Sequence, residues 1–317
     1  MKILVFGKDG QLGKAFREVL GQRGISQLHQ IEYLGRTQCD LLDGAAIIHY
    51  LDQSKPDLII NTAAYTAVDK AETESDLAFA VNAKAPEIMA SYAVKHGATF
   101  LHYSTDYVFD GAKTGFYVES DSRKPLGMYG ASKVKGEEAI ENTFAHSTQG
   151  QYAIFRTSWV YGDGNNFIRT ILRLAKDREE LKVIHDQYGV PTSAEWLAQV
   201  SLNLVLDEKL NLRKFTSGIY HAVPIGETNW HELASLVAQV AIQAGVALKA
   251  DPETIKPILA VEYPLPAPRP TNSRMNTAKL RLAIEHTGDM SKLQHCNGLW
   301  SDSVKDYVTR LAKDRLI

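Results

Sequence analysis

The chain has 317 residues, 23% of them charged and 44% hydrophobic, and a formal net charge of −2, which excludes the basic excess typical of a nucleic-acid-binding protein. The chain has only two cysteines, Cys39 and Cys296, which are expected to be reduced thiols and not a disulfide. No apolar run reaches the roughly 18 residues of a membrane span, and the initial apolar run is too short for a signal peptide. We therefore expect a cytoplasmic protein without a membrane segment. The length exceeds what one hydrophobic core usually organises and predicts two lobes or a large α/β domain with an appended part.

The first predicted element is a buried strand followed by a glycine-rich turn. Residues 3–6 are continuously apolar, as is typical of a strand covered on both faces of a parallel sheet. Three glycines then follow at G-x-x-G-x-x-G spacing, one residue wider than the dinucleotide fingerprint, and let backbone approach a pyrophosphate at a helix N-terminus. The predicted dinucleotide-binding turn consists of Gly7, Gly10, Gln11, Leu12 and Gly13.

The end of the second predicted strand bears on the choice of cofactor. Arg36 stands where an acidic residue would bind the ribose of NAD, and an arginine there accommodates the 2′-phosphate of NADPH. NADH stays open, because Glu32 lies too early in the strand to decide against it. Asp40 and Leu41 are expected at the adenine ring, although Asp40 could equally be an ordinary loop residue. Asp43 is a predicted N-cap for the helix that follows.

Two further buried strands are predicted at residues 56–61 and 99–104. The first of them ends in small residues, which let a flat cofactor lie against the backbone at the edge where open α/β sheets bind ligands. The cofactor contacts predicted on these two strands are Ala63, Ala64, Tyr65 and Tyr103. A long helix from about residue 74 to 96 connects the strands, and Pro86 should kink or restart it.

Hydroxyl side chains end the fourth strand, and the next helix carries Tyr129 and Lys133. Their four-residue spacing places the phenol and the ammonium on one helix face. We predict that Lys133 lowers the pKa of Tyr129 and holds the nicotinamide ribose, that Tyr129 gives a proton, and that Thr105 hydrogen-bonds the reacting carbonyl oxygen. Tyr-x-x-x-Lys alone could be an ordinary amphipathic helix, so the upstream dinucleotide turn is what gives the pair its meaning.

The second half of the chain continues with alternating strands and helices. The predicted strands and helices include 153–157, a helix from about 166, 181–184, 194–206, 218–221, 230–244, 276–283 and 300–313. Prolines accumulate between residues 252 and 271, which predicts an extended surface loop or a substrate-binding arm. Arg269 in this segment could bind a nucleotide phosphate or could simply be solvated.

These elements together predict an α/β protein with a Rossmann-type doubly wound parallel sheet and a smaller, interleaved α/β substrate-binding domain. The cofactor domain is expected at residues 1–157, with segments 166–178 and 194–222 returning to it. Residues 158–317 should form mainly the substrate-binding domain.

Four motifs, in this order and at these separations, resemble the extended short-chain dehydrogenase/reductase superfamily: Gly7-x-x-Gly10-x-x-Gly13, Asn61-Thr-Ala-Ala64, Ser104-Thr105 and Tyr129-x-x-x-Lys133. Within it, longer strings resemble the dTDP-4-dehydrorhamnose reductase family: Gly7-Lys-Asp-Gly-Gln-Leu-Gly13, Ala67-Val-Asp-Lys-Ala-Glu72, Ser104-Thr-Asp-Tyr-Val-Phe-Asp-Gly111, Phe155-Arg-Thr-Ser-Trp-Val-Tyr161, Asp186-Gln-Tyr-Gly-Val-Pro-Thr192 and Arg269-Pro-x-x-Ser273. The resemblance covers nearly the whole chain.

The resemblance implies reduction of the C4 ketone of dTDP-4-dehydro-6-deoxy-L-mannose to dTDP-L-rhamnose, a precursor of bacterial cell-surface polysaccharide, with NADPH or NADH as the hydride donor. It also implies that Asp106 and Trp159 contact the sugar nucleotide, and the polar loop with Asn166 is expected nearby. Members of the family are associated with Mg²⁺, for which Glu195 is a conceivable ligand, but Ala15 stands where a carboxylate could have served, so no ligand is assigned. A homodimer is also conceivable.

Two alternatives stay open. Another nucleotide-sugar reductase or an epimerase would use the same fold. An epimerase or dehydratase would retain its NAD, whereas Arg36 indicates an exchangeable NADPH. A dehydratase is also disfavoured because Tyr107 stands where a glutamate would be needed. A catalytically silent NADP-binding regulatory subunit would be expected to lack part of the catalytic set, which is complete here.

Overall fold

The computed structural model describes residues 1–317. Its strands are β1 Lys2–Phe6, β2 Gln30–Leu34, β3 Leu58–Asn61, β4 Thr99–Thr105, β5 Gln151–Thr157, β6 Val160–Tyr161, β7 Leu181–Ile184, β8 Tyr188–Gly189, β9 Thr192–Ser193, β10 Gly218–His221, β11 Thr228–Asn229 and β12 Ile255–Ile258. Its α-helices are α1 Gln11–Gln22, α2 Ile25–Leu28, α3 Gly44–Ser54, α4 Val68–Ala71, α5 Ser75–Phe79, α6 Ala85–His96, α7 Met128–Phe144, α8 Phe167–Asp177, α9 Ala194–Val205, α10 Trp230–Gln243, α11 Ala278–Glu285, α12 Met290–Cys296 and α13 Trp300–Lys313.

Six parallel strands form the central sheet in the order β10-β5-β4-β3-β1-β2. The chain leaves β1 for β2 on one side and then crosses to β3 on the other, so the topological switch point lies between β1 and β3, where open sheets bind ligands at the carboxyl ends. Strands β3 and β4 are buried along their whole length, as is typical of central strands in a parallel sheet covered on both faces. Burial on β4 includes the polar residues Thr99, His102, Ser104 and Thr105. The predicted Rossmann-type doubly wound sheet is confirmed.

Apolar clusters cover both faces of this sheet. One face packs against α1 and α9 and the other against α3, α6 and α7. Helices α11 and α12 also return to the first face, where Leu280, Ile284 and Cys296 join its cluster, a return that the sequence did not reveal.

A separate apolar core forms the second lobe around α8, α10 and α13, with β7 and β12 beside it. Residues 166–178 were predicted to return to the central sheet, but the structure places α8 in this second core instead. Its apolar stripe of Ile168, Ile171, Leu172 and Ala175 packs with α10. The stripe shows that one helix face is buried but not which partner buries it.

Local signals account for several boundaries. Asp43 caps α3 by accepting hydrogen bonds from Ala45 and Ala46, as predicted. The predicted helix from 74 to 96 is divided into α5, a π-helical turn at Ala80–Lys84, and α6, in whose first turn Pro86 lies. Within the proline-rich segment the structure adds β12, which pairs with β7 in a two-stranded sheet. None of the helices combines the length and apolar composition needed to cross a membrane.

Candidate active site

A cavity of about 840 Å³ opens at the carboxyl edge of the central sheet. It extends from the glycine-rich turn after β1, past the loop after β3, to the start of α7. The predicted cofactor residues that line it are Gly7, Gly10, Gln11, Leu12, Arg36, Asp40, Leu41, Ala63, Ala64, Tyr65, Tyr103, Tyr129 and Lys133. The structure therefore brings together residues that lie more than a hundred positions apart in the chain.

The glycine-rich turn fits a pyrophosphate. Gly7 has φ +88°, and a Cβ there would lie 2.6 Å from the backbone nitrogen of Ala63. Helix α1 has no side-chain cap at its N-terminus and no acidic residue in its first turn, so its first N–H groups can serve an anion at the cavity wall. Gly13 does not line the cavity; a Cβ at this position would meet the Gly7 carbonyl oxygen at 2.1 Å, so its role is close packing of the turn.

Arg36 provides a cation at the outer end of the cavity. Its side chain is 79% exposed, and its Nε lies 3.6 Å from Oδ2 of Asp40. An exposed ion pair at this distance is weak, so the guanidinium remains able to bind a phosphate. Asp40 also accepts a hydrogen bond from the backbone N–H of Leu42, which stabilises the turn beside the predicted adenine position.

Tyr103 contributes its backbone to the site. Its ring stacks on Phe155 and its hydroxyl donates to Ser201 at 2.9 Å, so the polar end of the side chain is engaged in the core. Its carbonyl oxygen accepts a hydrogen bond of 2.6 Å from Nζ of Lys133. The predicted contact of Tyr103 with the cofactor is therefore not made through the hydroxyl; the residue positions Lys133.

The pKa values of Tyr129 and Lys133, the predicted catalytic pair, differ from the sequence prediction. Burial raises the pKa of Tyr129 to about 12, opposed by hydrogen bonding with Thr105 and reinforced by Asp106. Burial lowers the pKa of Lys133 to about 8, opposed by Glu137. In the protein alone Lys133 does not lower the pKa of Tyr129 as predicted, because burial removes much of the preference of its amine for the charged form.

Polar side chains without partners surround this pair. Thr105 donates to Oδ1 of Asp106 at 2.9 Å, and Oδ2 of Asp106 is buried without a hydrogen-bond partner. Burial raises the pKa of Asp106 to about 6. The hydroxyls of Ser104 and Thr157, on neighbouring strands, are likewise buried without partners, and all four residues line the cavity. Buried polar atoms of this kind call for a polar ligand or ordered water.

A second cavity of about 370 Å³ adjoins the first, and Tyr107, Trp159 and Trp230 line both. The two indoles stack with ring centroids 3.6 Å apart. Trp159 holds the unusual φ of +49°, a conformation that costs energy in a bulky residue and persists where surrounding packing enforces it. Trp159 therefore borders both cavities, and its contact with a sugar nucleotide stays a prediction.

Arg269, a candidate for binding a nucleotide phosphate, also lines the second cavity. Its guanidinium makes a bidentate ion pair with Asp69 of α4, with N–O distances of 2.7 and 3.0 Å, and this pair lowers the pKa of Asp69. The side chain is thus held in place across the cleft between the two lobes.

Asn166 was predicted to contact substrate, but it lines neither cavity. Its Oδ1 accepts from the backbone N–H of Arg169 and caps α8, while its Nδ2 donates to the carbonyl oxygens of Gly162 and Gly164. The asparagine therefore fixes the loop before α8. Capping explains why a polar residue stands before this apolar helical stripe.

Several residues of the second cavity were not identified from the sequence. They are Phe167, Thr170, Ile171, Leu174, Arg178, Lys182, Gln187, Trp230, Tyr263 and Leu265. Those on α8 recur every three or four positions, so helical periodicity could have placed them on one face. Nothing in the sequence indicated that this face borders a cavity.

The structure assigns no ligands to the Mg²⁺ that the resemblance associates with the family. The structure contains no group of three or more metal-ligating side chains. Glu195 lies 3.3 Å from Arg310 in an exposed ion pair, so nothing in this chain assigns it as a metal ligand.

Comparison with known proteins gives one consistent result. The family model described as RmlD substrate binding domain matches residues 1–308. A dTDP-4-dehydrorhamnose reductase from Escherichia coli is 42% identical over 286 residues, which cover 89% of this chain and 91% of that protein. The crystal structure of a dTDP-4-dehydrorhamnose reductase from Clostridium acetobutylicum has a TM-score of 0.83 at 33% identity and covers 98% of this chain and 99% of its own. One from Bacillus anthracis, solved in complex with NADP, has a TM-score of 0.80 at 30% identity and covers 97% of this chain and 98% of its own.

Proposed function

The chain belongs to the RmlD substrate binding domain family, and on that premise we propose that it is an NADPH-dependent oxidoreductase that reduces dTDP-4-dehydro-6-deoxy-L-mannose to dTDP-L-rhamnose. One observation carries the proposal. Thr105, Tyr129 and Lys133 stand in the cavity that fits a dinucleotide, directly beside the aromatic cavity of the second lobe. The Tyr107 ring, which borders both cavities, lies 5.5 Å from the Tyr129 ring.

The cofactor cavity supplies the binding side of the proposal. The first turn of α1 would hold the pyrophosphate of NADPH, Arg36 its 2′-phosphate, and Asp40 with Leu41 the adenine. Bound NADPH supplies the hydride that reduces the ketone. The relative solved with NADP shares the fold over 97% of this chain, which supports this choice of cofactor.

Tyr129 is the proposed proton donor. With a pKa raised to about 12 it is protonated at neutral pH and can give its proton to the alkoxide oxygen that forms at C4. The Thr105 hydroxyl would exchange its bond to Asp106 for one to the substrate carbonyl oxygen and direct that oxygen toward the phenol, as a donor aimed at developing charge should. Lys133, with a pKa of about 8, can return a proton to the phenolate. One hydride and one proton convert the ketone to the alcohol.

The second cavity supplies the substrate side of the proposal. Its stacked indoles Trp159 and Trp230 offer flat apolar surface for a nucleobase or sugar ring. Arg178, Lys182 and Arg269 place three cations in the same wall, which suits the diphosphate of a nucleotide sugar. Asp106 lines the cofactor cavity, and its Oδ2, which has no partner, would accept hydrogen bonds from sugar hydroxyls.

The proposal is tested by following nicotinamide absorbance with dTDP-4-dehydro-6-deoxy-L-mannose and either NADPH or NADH. Tyr129→Phe should lower kcat by roughly 100-fold or more, the usual scale of a lost general acid, and retain NADPH binding. Tyr152→Phe is the matched control and should keep full turnover, because Tyr152 lies at the start of β5, away from the end where Thr157 lines the cavity. Equal turnover in the two variants would refute Tyr129 as donor, and absence of turnover in a wild-type protein that binds NADPH would refute the substrate.

A further inference from the structure

Two buried residues stand behind Lys133 and are not part of the proposed mechanism. Asn61 on β3 and His102 on β4 face each other in register, and both are almost completely buried. The backbone N–H of Ala63 donates to Oδ1 of Asn61 at 3.2 Å, Nδ2 of Asn61 lies 3.2 Å from Nδ1 of His102, and Nε2 of His102 lies 3.3 Å from Nζ of Lys133. These groups form one line that ends at the catalytic lysine.

The network assigns the tautomer of His102. A backbone N–H can only donate, so Asn61 presents Oδ1 to Ala63 and its amide nitrogen to the histidine. That amide nitrogen can also only donate, so Nδ1 of His102 must accept and carries no proton. The imidazole is neutral, consistent with burial and Lys133 holding the pKa of His102 well below its ordinary value. Its single proton is on Nε2 and points at Lys133.

The proton on Nε2 discriminates between the two forms of Lys133. An ammonium group has three donors and no lone pair, so an N–H aimed at it meets another donor. A neutral amine has a lone pair and can accept this N–H. We propose that Asn61 fixes the tautomer of His102, and that His102, as a positioning residue, sets the proton affinity of Lys133 by favouring its neutral amine.

Other groups around Lys133 act in the opposite direction. The Tyr103 carbonyl oxygen, at 2.6 Å, and the Glu137 carboxylate one turn further along α7 favour the ammonium, while burial favours the amine. The titratable groups nearest Lys133 include Tyr129 and Glu137 on α7, His102 and Tyr103 on β4, Arg156 on β5, and Asp106 and Tyr107 on the 3-10 turn after β4. Other elements that pack against α7 carry Asp69 and Lys70 on α4, Asp76 on α5 and Lys84 on the π-helical turn. Arg156 is paired with Glu137, so the Glu137 carboxylate stabilises the Lys133 ammonium less than an unpaired carboxylate would. The ammonium and amine forms are therefore close in free energy, and the contact from His102 can shift the balance between them.

This balance matters for turnover, and here the inference rests on the proposed reduction. After Tyr129 has given its proton to the product, a proton must return to the phenolate. A lysine that titrates near the working pH can give that proton and recover one from solvent, whereas an ordinary lysine would hold it too firmly. His102 would thus keep Lys133 exchangeable without touching substrate.

The tautomer can be measured without any substrate. In ¹⁵N-histidine-labelled protein, long-range ¹H–¹⁵N spectra at pH 7 should show His102 neutral with its proton on Nε2, assigned by the loss of its signals in His102→Gln. Asn61→Asp should move the proton to Nδ1, because the carboxylate accepts where the amide donated. A wild-type His102 that is protonated on Nδ1, or on both nitrogens, overturns the proposal.

The effect on Lys133 is read from the pH dependence of kcat. His102→Leu removes the N–H and should move the alkaline limb upward by roughly half a pH unit or more. His102→Gln, whose amide can present an N–H near the position of Nε2, should keep the limb close to wild type, as should His49→Leu, which changes an exposed histidine. If His102→Leu and His102→Gln both keep the wild-type limb, the proposal is wrong although the reductase activity stands. If the wild-type protein has no activity, the proposed function fails, but the spectra still decide the tautomer of His102. The spectra also decide it if His102→Leu does not fold, because they are recorded on the wild-type protein.

Discussion

A buried ion pair beneath the catalytic helix offers the sharpest test of the packing. Arg156 on β5 and Glu137 on α7 have no exposed side-chain surface. Nε and Nη2 of Arg156 donate to the two carboxylate oxygens of Glu137 at 2.8 and 2.7 Å, and Nε of Arg123 lies 2.7 Å from the same carboxylate. We predict that Glu137→Gln destabilises the protein strongly.

The magnitude follows from what Arg156 would keep. Besides one bond to the neutral amide oxygen that the substitution leaves, its contacts are a 3.4 Å hydrogen bond to the Glu119 carbonyl oxygen and the Phe109 ring, whose centroid lies 5.0 Å from the guanidinium carbon. Neither compensates a charge without access to water. Removing one partner of a buried pair costs about 3–5 kcal/mol, a large fraction of the roughly 5–15 kcal/mol that stabilises a typical fold.

Urea unfolding followed by tryptophan fluorescence measures this loss. The control is Glu138→Gln on the same helix, because its partner Lys135 is 62% exposed and such pairs contribute only about 0–1 kcal/mol. A double replacement of Glu137 and Arg156 by methionine should recover much of the loss, since it leaves no unpaired charge. If Glu137→Gln costs no more than Glu138→Gln, the reasoning from burial and pairing is wrong.

Three further changes give distinct expected results. Gly13→Ala should abolish NADPH binding in a fluorescence titration, since its Cβ would lie 2.1 Å from a backbone oxygen, whereas Gly21→Ala on the same helix meets nothing within 4 Å and should bind normally. Arg36→Ala should weaken NADPH binding by roughly 10-fold or more and leave NADH binding unchanged; an equal loss for both cofactors would contradict the 2′-phosphate assignment. Asp106→Asn should stabilise the protein at pH 7 by on the order of 3 kcal/mol, because burial raises the pKa of this carboxyl from 3.8 to about 6 and wild type loses stability as pH rises from about 4 to 6. In urea unfolding this gain should vanish below about pH 4, where the carboxyl is protonated in both states, and a gain independent of pH would exclude this cause.

The central sheet and the cofactor half of the site were predictable because their signals are local. A continuous apolar run predicts a strand buried on both faces. Asp43 caps a helix that begins at the next residue, and the glycines from residue 7 pack against each other within one turn. The second cavity was not predictable in this way. The apolar stripe of α8 indicates a buried face without naming its partner, and a polar residue such as Asn166 reads equally as a ligand contact or a helix cap until the packing is known.

The charge states were the least predictable part of the site. The spacing of Tyr129 and Lys133 correctly places both in one cavity, but it says nothing about how deeply each side chain is buried or what stands behind it. Burial outweighs proximity here and moves the two pKa values in directions that favour the neutral form of each group. The tautomer of His102 depends on a contact between two strands that the sequence separates by 41 positions.

The short segment from Asp69 to Glu72 connects the two halves of the site. Asp69 holds Arg269 and accepts from the backbone N–H of Ala267 at 3.1 Å, while Glu72 accepts from the backbone N–H of Met128 at 2.8 Å, at the start of α7. Asp69 is 39% exposed, so its ion pair contributes more to geometry than to stability. In the proposed reaction, a substrate diphosphate that draws Arg269 away from Asp69 would act on the same segment that holds the first residue of α7. The Ala67-Val-Asp-Lys-Ala-Glu72 motif would then help to align substrate with Tyr129.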